Sequence, residues 1–311
     1  MAYRLSKIYR WVWDRRGSYT TTITHDHADS YVNEIAGNEW KNSNKSQYVK
    51  ALKRLFKWRH HKRDDDFWKS EITFTSGSED YQPQDFFTLE ERKRLREASL
   101  EYGSVPAYTN ITPRERSRWK AYIAQKLEKP KRKVSKSDWK RVNGWKFPSL
   151  VATSLDAGLR PIEVENATIS WVDPANSVLR IPKDESSKNR DNWTVSLRDQ
   201  TARTLASWLE ERNNYTKYDN REEIWLTKYS NPYQSDSLGY LLEKLCEEAG
   251  IATENRSLSW YSIRHSTGTY MTHFEDLGAA KAQLRHKSEQ TTMKYDNAPI
   301  EERREALDKM G

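Results

Sequence analysis

Apolar positions recur at helical spacing through most of this chain, and strand-like alternation is confined to one short stretch. Residues 24 to 36 read as a helix, with Thr24 as N-cap and Ala28, Tyr31, Val32 and Ile35 on one face. A longer pattern runs from Asn44 to about Lys62, where Tyr48, Leu52, Leu55 and Phe56 form an apolar stripe. Lys45, Lys50, Lys53, Arg54 and Lys57 are assigned to its other faces. Residues 71 to 85 are rich in Ser, Thr, Gly, Pro and Gln and weakly periodic, which suits an exposed linker. Thr88 with Glu91 then makes a capping box ahead of Leu95 and Ala98.

Between residues 104 and 145, Pro106, Pro113 and Pro130 interrupt weak helical patterns. Phe147 to Leu159 has the character of a buried helix ending at Gly158, and a second helix starts near Pro161. Ser177–Ile181 and Trp193–Leu197 are short β-like runs around a polar turn, Pro182 to Asn192, and predict a hairpin. Lys183 falls at its near strand end and Lys188 near its tip. Helices follow over about 200–213, 236–249, 260–274 and 276–284. The expected fold is mainly α with a small β-sheet, and the order of elements excludes a Rossmann pattern.

Composition changes this picture in two ways. With 311 residues, 35% hydrophobic and 32% charged, the chain has enough apolar content for a folded protein of about two domains. A net charge of +8 makes a polyanion the default partner. The single cysteine, Cys246, excludes an internal disulfide framework and suits an intracellular protein. No run approaches the ~20 apolar residues of a membrane span, and the expected location is cytoplasmic. His25, His27, His60, His61 and His273 lack zinc-ligand spacing, so no metal is expected. Core packing accounts for most of the 13 tryptophans, with Trp11, Trp13 and Trp145 as candidates for stacking on nucleotides.

The chemistry concentrates in the second half. Arg160 stands in Gly158-Leu159-Arg160-Pro161-Ile162-Glu163, and Arg264 in Tyr261-Ser262-Ile263-Arg264-His265. His286 follows in Leu284-Arg285-His286, and Tyr295 closes Thr291-Thr292-Met293-Lys294-Tyr295, nine residues after His286. Two guanidinium forks, an imidazole and a phenol suit attack on a phosphodiester without metal or nucleotide cofactor: the arginines hold the non-bridging oxygens and the phenol supplies the nucleophile.

These four segments, in this order, resemble the signature boxes of the tyrosine recombinases, the family of phage-type integrases. The resemblance runs over roughly residues 88 to 298 and more loosely over the N-terminal helical part. It implies a helical core-binding domain over residues 1–78, followed by an α+β catalytic domain over 86–311 with a tail at 296–311. Arg160 and Arg264 match the pair that clamps the scissile phosphate, His286 the histidine that donates to it, and Tyr295 the nucleophile of a 3′-phosphotyrosyl link. Lys183 matches the hairpin lysine that protonates the leaving 5′ oxygen, with Lys188 as its alternate. Where many members carry a histidine, this chain has Tyr261. A phenol with pKa ~10 hydrogen-bonds a phosphate but is a poor base at neutral pH. Either Tyr261 only positions the phosphate, or another group, His286 or water, takes the proton. Glu163, His265 and Tyr270 are read as packed, hydrogen-bonded residues.

The implied partner is double-stranded DNA carrying attachment sites, held by a homotetramer on two sites. The expected setting is the nucleoid of a prokaryotic or virus-infected cell, and an archaeal virus or plasmid integrase fits the resemblance. Lys45, Lys50, Lys53, Arg54 and Lys57 become a candidate face for the DNA backbone. Lys131, Arg132 and Lys133 lie in a cluster with eight Lys/Arg between Lys126 and Arg141. Nucleic-acid contact and a plain surface loop account for that cluster equally. Ile300, Leu307 and Met310 would give the tail one apolar face for exchange between subunits. Two other functions share the motifs: a type IB topoisomerase, and a non-catalytic DNA-binding protein on the same fold.

Overall fold

The computed structural model describes residues 1–75, 85–185, 191–296 and 299–310, so Lys188 and most of the 71–85 segment lie outside the described residues. The chain divides into two compact units, Met1–Pro83 and Gln84–Gly311.

The described residues of the first unit form three helices, α1 (Ala2–Arg16), α2 (His25–Ala36) and α3 (Asn42–Arg63). Thr24 caps α2 by accepting from the His27 amide, and His27 reaches back to the Thr24 amide. These bonds satisfy two donors that a helix start otherwise leaves open. Ile8, Ile23, Val32, Ile35, Leu52, Phe56 and Trp68 make one buried core. Helix α1 is not foreseen from the sequence, although Leu5, Ile8, Tyr9 and Val12 carry its inward stripe.

The second unit opens with α4 (Leu89–Tyr102), capped reciprocally by Thr88 and Glu91, and α5 (Pro113–Lys126), capped by Thr112 and Glu115. Pro113 is therefore no interruption. It occupies the first turn of α5, where its missing N–H costs nothing. A short α6 (Lys136–Trp139) precedes α7 (Lys146–Ala157), which is buried on nearly every side and packs against α4 and the later α9 (Asp199–Arg212). After α8 (Pro161–Asn166) comes an antiparallel sheet in the order β1 (Val172–Asp173), β2 (Val178–Ile181), β3 (Trp193–Ser196). In the β2–β3 register Leu179 faces Val195 and Ile181 faces Trp193. Leu179, Ile181 and Val195 are buried, and the residues between them face outward.

The remaining helices are α10 (Ser235–Glu248), α11 (Trp260–Phe274), α12 (Leu277–Leu284), α13 (Glu289–Thr292) and α14 (Ile300–Met310). Trp119, Trp171, Trp208 and Trp225 are fully buried, so these four serve the core. Trp208 donates to the Ile224 carbonyl at 2.9 Å and Trp225 to the Ser149 hydroxyl at 3.0 Å, which removes the cost of burying their N–H groups. Cys246 is buried in the same core, and burial pushes its thiol up to about 11. Among the described residues the architecture is mostly helical with a small sheet, as the periodicity predicts, and the third strand, β1, joins the predicted hairpin. No helix among the described residues is long and apolar enough to cross a membrane.

Candidate active site

Two left-handed turns bring the chemistry together. The first ends α7 at Gly158, with φ of 56°; a Cβ there would lie 2.6 Å from Leu284 Cδ2. Glycine alone meets both demands. The chain then turns into α8 with Arg160 at its N-cap, and Glu163 accepts from the Arg160 amide at 2.8 Å and from its Nη1 at 2.7 Å. The second turn ends α12 at Arg285, with φ of 58°, and directs His286 inward.

Helix α11 supplies Arg264, buried to 2% exposure. Its guanidinium donates to the Gly158 carbonyl at 2.6 Å and to the Leu284 carbonyl, and it lies 2.9 Å from His286 Nε2. A guanidinium only donates, so Nε2 is the acceptor and the imidazole proton sits on Nδ1. That proton points to Thr292 Oγ1, 3.0 Å away. The tautomer is thus set from both ends. Burial, with Arg264, Arg160, Lys294 and Arg285 nearby, pulls the His286 pKa down to about 3, so the ring is neutral.

Tyr295 lies in a tight turn, Met293–Tyr295, directly after α13. Its ring is 2% exposed, stacks parallel to His286 with centroids 5.8 Å apart, and lies 5.4 Å from the His265 ring. Lys294 places its ammonium 4.9 Å from the same ring.

The electrostatics of this cluster are one-sided. Burial, then Arg285 and Arg160, pull the Arg264 pKa down to about 9. Burial opposes ionisation of Glu163, yet Arg285, Arg160 and Arg264 outweigh it and hold the carboxyl at about 2. Three arginines thus act on the Glu163 carboxylate. Chemically, guanidinium forks of this kind suit an oxyanion such as a phosphodiester. Among the described residues no group of three or more His, Cys, Asp or Glu side chains is placed to hold a metal ion.

The model of the phage integrase family matches residues 146–301, which span every residue of this cluster. The chain belongs to the phage integrase family. It is a tyrosine recombinase, an enzyme that cleaves and rejoins DNA at specific sites. Solved structures share its fold at low identity. XerA recombinase matches with a TM-score of 0.52 and 16% identity, over 99% of this chain and 92% of that one. XerH recombinase bound to difH substrate gives 0.58 and 16%, over 96% and 75%. The Tn1549 transposon integrase in complex with transposon right end DNA gives 0.58 and 12%, over 99% and 92%. No curated protein sequence matches the chain.

The other sequence-predicted residues of the recombinase fall into two groups. Tyr261 stands on the first turn of α11, 43% exposed, and Lys183 lies exposed just beyond β2, its amide donating to Asn192 Oδ1 at 2.8 Å. Lys50, Lys53, Arg54 and Lys57 are exposed along α3, and Arg4, Lys50, Lys53 and Arg54 line one concavity there. Lys131, Arg132 and Lys133 form an exposed helical turn. Lys45 requires a correction. It is only 6% exposed, and its ammonium donates to the Ala36 carbonyl at 2.9 Å, closing the end of α2. Lys45 precedes Tyr48 by three residues and Val49 by four, so helical geometry places it on the buried face.

Trp11 donates to Glu34 at 2.8 Å, and Trp13 stacks on Tyr19. Sequence reasoning passes over Arg285, Thr292 and Gly268. The first two stand inside the quoted motifs, one residue before His286 and three before Tyr295. Gly268 carries no signal except its place one turn after Arg264 on a helix.

Proposed function

We propose that Tyr295 attacks a DNA phosphodiester held by Arg160 and Arg264. The bond from its phenolic oxygen to phosphorus forms as the bond to the 5′ oxygen breaks, leaving a 3′-phosphotyrosyl link and a free 5′-hydroxyl. Lys183 gives its proton to the leaving oxygen. The Nε2 lone pair of His286 already accepts from Arg264 and its Nδ1 faces Thr292, which supports water rather than this imidazole as the acceptor of the phenol proton. Tyr261 then serves to hydrogen-bond the phosphate. The observation that carries this reading is the cluster itself: two arginines, a histidine with a fixed tautomer and a tyrosine packed on one glutamate-anchored turn.

Full-length protein and Tyr295→Phe are to be incubated with nicked duplexes from candidate attachment sites and run on a denaturing gel. The expected result is a covalent adduct in the wild type that is absent in Y295F. An adduct that survives the substitution would assign the nucleophile elsewhere, with Tyr270 and Tyr261 next.

The same reading extends to organisation. Residues 1–78 act as the core-binding domain and 86–311 as the catalytic domain, working in the cytoplasm as a homotetramer on two duplex attachment sites. The lambda integrase neighbour, a dimer bound to a COC′ core site, supports DNA-templated assembly of subunits. The exposed Ile300, Leu307 and Met310 of α14 support exchange of the tail between subunits. Removing residues 299–311 is expected to lower the mass of the complex on paired sites, read by sedimentation, while single-site affinity stays within a few-fold. An unchanged tetramer would sink the tail's role.

A further inference from the structure

We propose that Arg285 is a positioning residue of this active site: it holds Glu163 so that the carboxylate steadies Arg160 without neutralising the guanidiniums that must meet the phosphate. The inference rests on the reading of that site given above.

Three observations carry it. First, Arg285 has a φ of 58°, a conformation in which a side chain is disfavoured and glycine is at ease. An arginine kept there has to repay that cost through its side chain. Second, all five of its N–H groups are taken by protein acceptors. Nε donates to Glu163 Oε1 at 3.2 Å and Nη2 to Glu163 Oε2 at 2.7 Å. Nη1 donates to the carbonyls of Ala157 at 2.8 Å and Gln283 at 2.7 Å, and Nη2 to that of Gly158 at 3.2 Å. With five donors in total, a guanidinium so engaged has none left for DNA. Arg285 is thus not a third phosphate clamp. Third, its partners are the turn that leads to Arg160, the helix end that leads to His286, and the one carboxylate between them.

Charge completes the argument. Glu163 Oε1 is shared between Arg160 Nη1 and Arg285 Nε. With Arg285 present, its positive charge offsets the carboxylate, and Arg160 and Arg264 retain their pull on an incoming anion. With Arg285 gone, the buried carboxylate has to be answered by Arg160 and Arg264 themselves. It then competes with the scissile phosphate.

The test uses full-length wild type, R285G, E163Q and the double variant. Glycine suits the left-handed turn, so R285G removes the side chain and keeps the backbone. Two quantities are to be read from pH 5 to 9: the rate of covalent adduct formation on a nicked duplex the protein binds, and the rise in unfolding temperature caused by inorganic phosphate. R285G is expected to slow adduct formation on the order of 100-fold and to lose the phosphate response. Both losses should persist across this range, because Arg160 and Arg264 still hold Glu163 ionised. Adding E163Q to R285G should restore at least about tenfold of the rate, since the competing charge is then absent.

A double variant no better than R285G would overturn the proposal and leave Arg285 as packing alone. If R285G does not fold, R285K against R285Q decides the point. The charged variant should keep the phosphate response and the neutral one lose it, and equal loss in both would overturn the proposal. If wild type shows this phosphate pattern but forms no adduct, the cleavage reading fails while the role of Arg285 stands.

Discussion

Gly268 lies beneath the ring of Tyr295, and a methyl group added there would come within 2.8 Å of Tyr295 Cγ and of Leu284 Cδ1. Leu284 can yield through its flexible end. The tyrosine cannot, because Cγ sits one bond from its Cβ. Gly268→Ala is therefore expected to destabilise the fold by about 1–3 kcal/mol, measured by urea unfolding. Gly239, in the interior of α10, is the control: a methyl group there meets nothing within 4 Å. Gly239→Ala should stabilise by roughly 0.5–1 kcal/mol through helix propensity alone. Equal effects at the two glycines would mean that Tyr295 does not pack where it is placed. The same proximity explains why the motif residues are legible and Gly268 is not. Arg160, Arg264, His286 and Tyr295 are recognisable because the chemistry demands their side chains, whereas Gly268 is there for the side chain it lacks.

Elements are joined by a buried carboxylate of opposite behaviour to Glu163. Glu211, near the end of α9, accepts from the amide of Trp145 at 2.6 Å, just ahead of α7, and from the Tyr215 hydroxyl at 3.1 Å. Burial raises its pKa to about 7, against the pull of those two donors and of Lys146. The folded chain thus keeps a proton that the unfolded chain releases above its ordinary pKa near ~4.3. This contribution is complete below the unfolded value and is lost as pH rises through 7, to the extent of roughly 3 kcal/mol. Glu211→Gln can still accept from Trp145 and donate to Tyr215. It should flatten the fall in melting temperature between pH 5 and 8, and a slope equal to that of wild type would refute the assignment.

At this scale the sequence is legible where caps and stripes coincide, as at Thr24 and Thr88. It is obscure where a proline has two meanings, as at Pro113, or where the elements are too short for periodicity, as in β1 and α6. Lys45 misleads because its charge speaks for solvent while its helical position speaks for the core.

For the whole molecule, with a net charge of +8, we propose that the exposed basic row on α3 meets the DNA backbone and that binding is dominated by phosphate neutralisation. Replacing Lys50, Lys53, Arg54 or Lys57 with alanine should weaken binding to all duplexes alike. Each cation removed from the DNA backbone should make the slope of log K against log salt shallower by about 0.9. Lys45→Ala should leave that slope unchanged and lower stability instead, since its ammonium serves the end of α2. Filter-binding titrations at several salt concentrations separate the two, and an identical slope change at position 45 would return that lysine to the DNA face.

The buried thiol of Cys246 also has a practical consequence. With its pKa near 11, only roughly one molecule in ten thousand carries a thiolate at neutral pH, and the sequence holds no other cysteine. Maleimide dyes will therefore pass over the native chain. A cysteine introduced at exposed Tyr19 and another at exposed Tyr229 would be labelled cleanly. One dye pair, with Cys246 left in place, could then time how the two units respond as a duplex arrives.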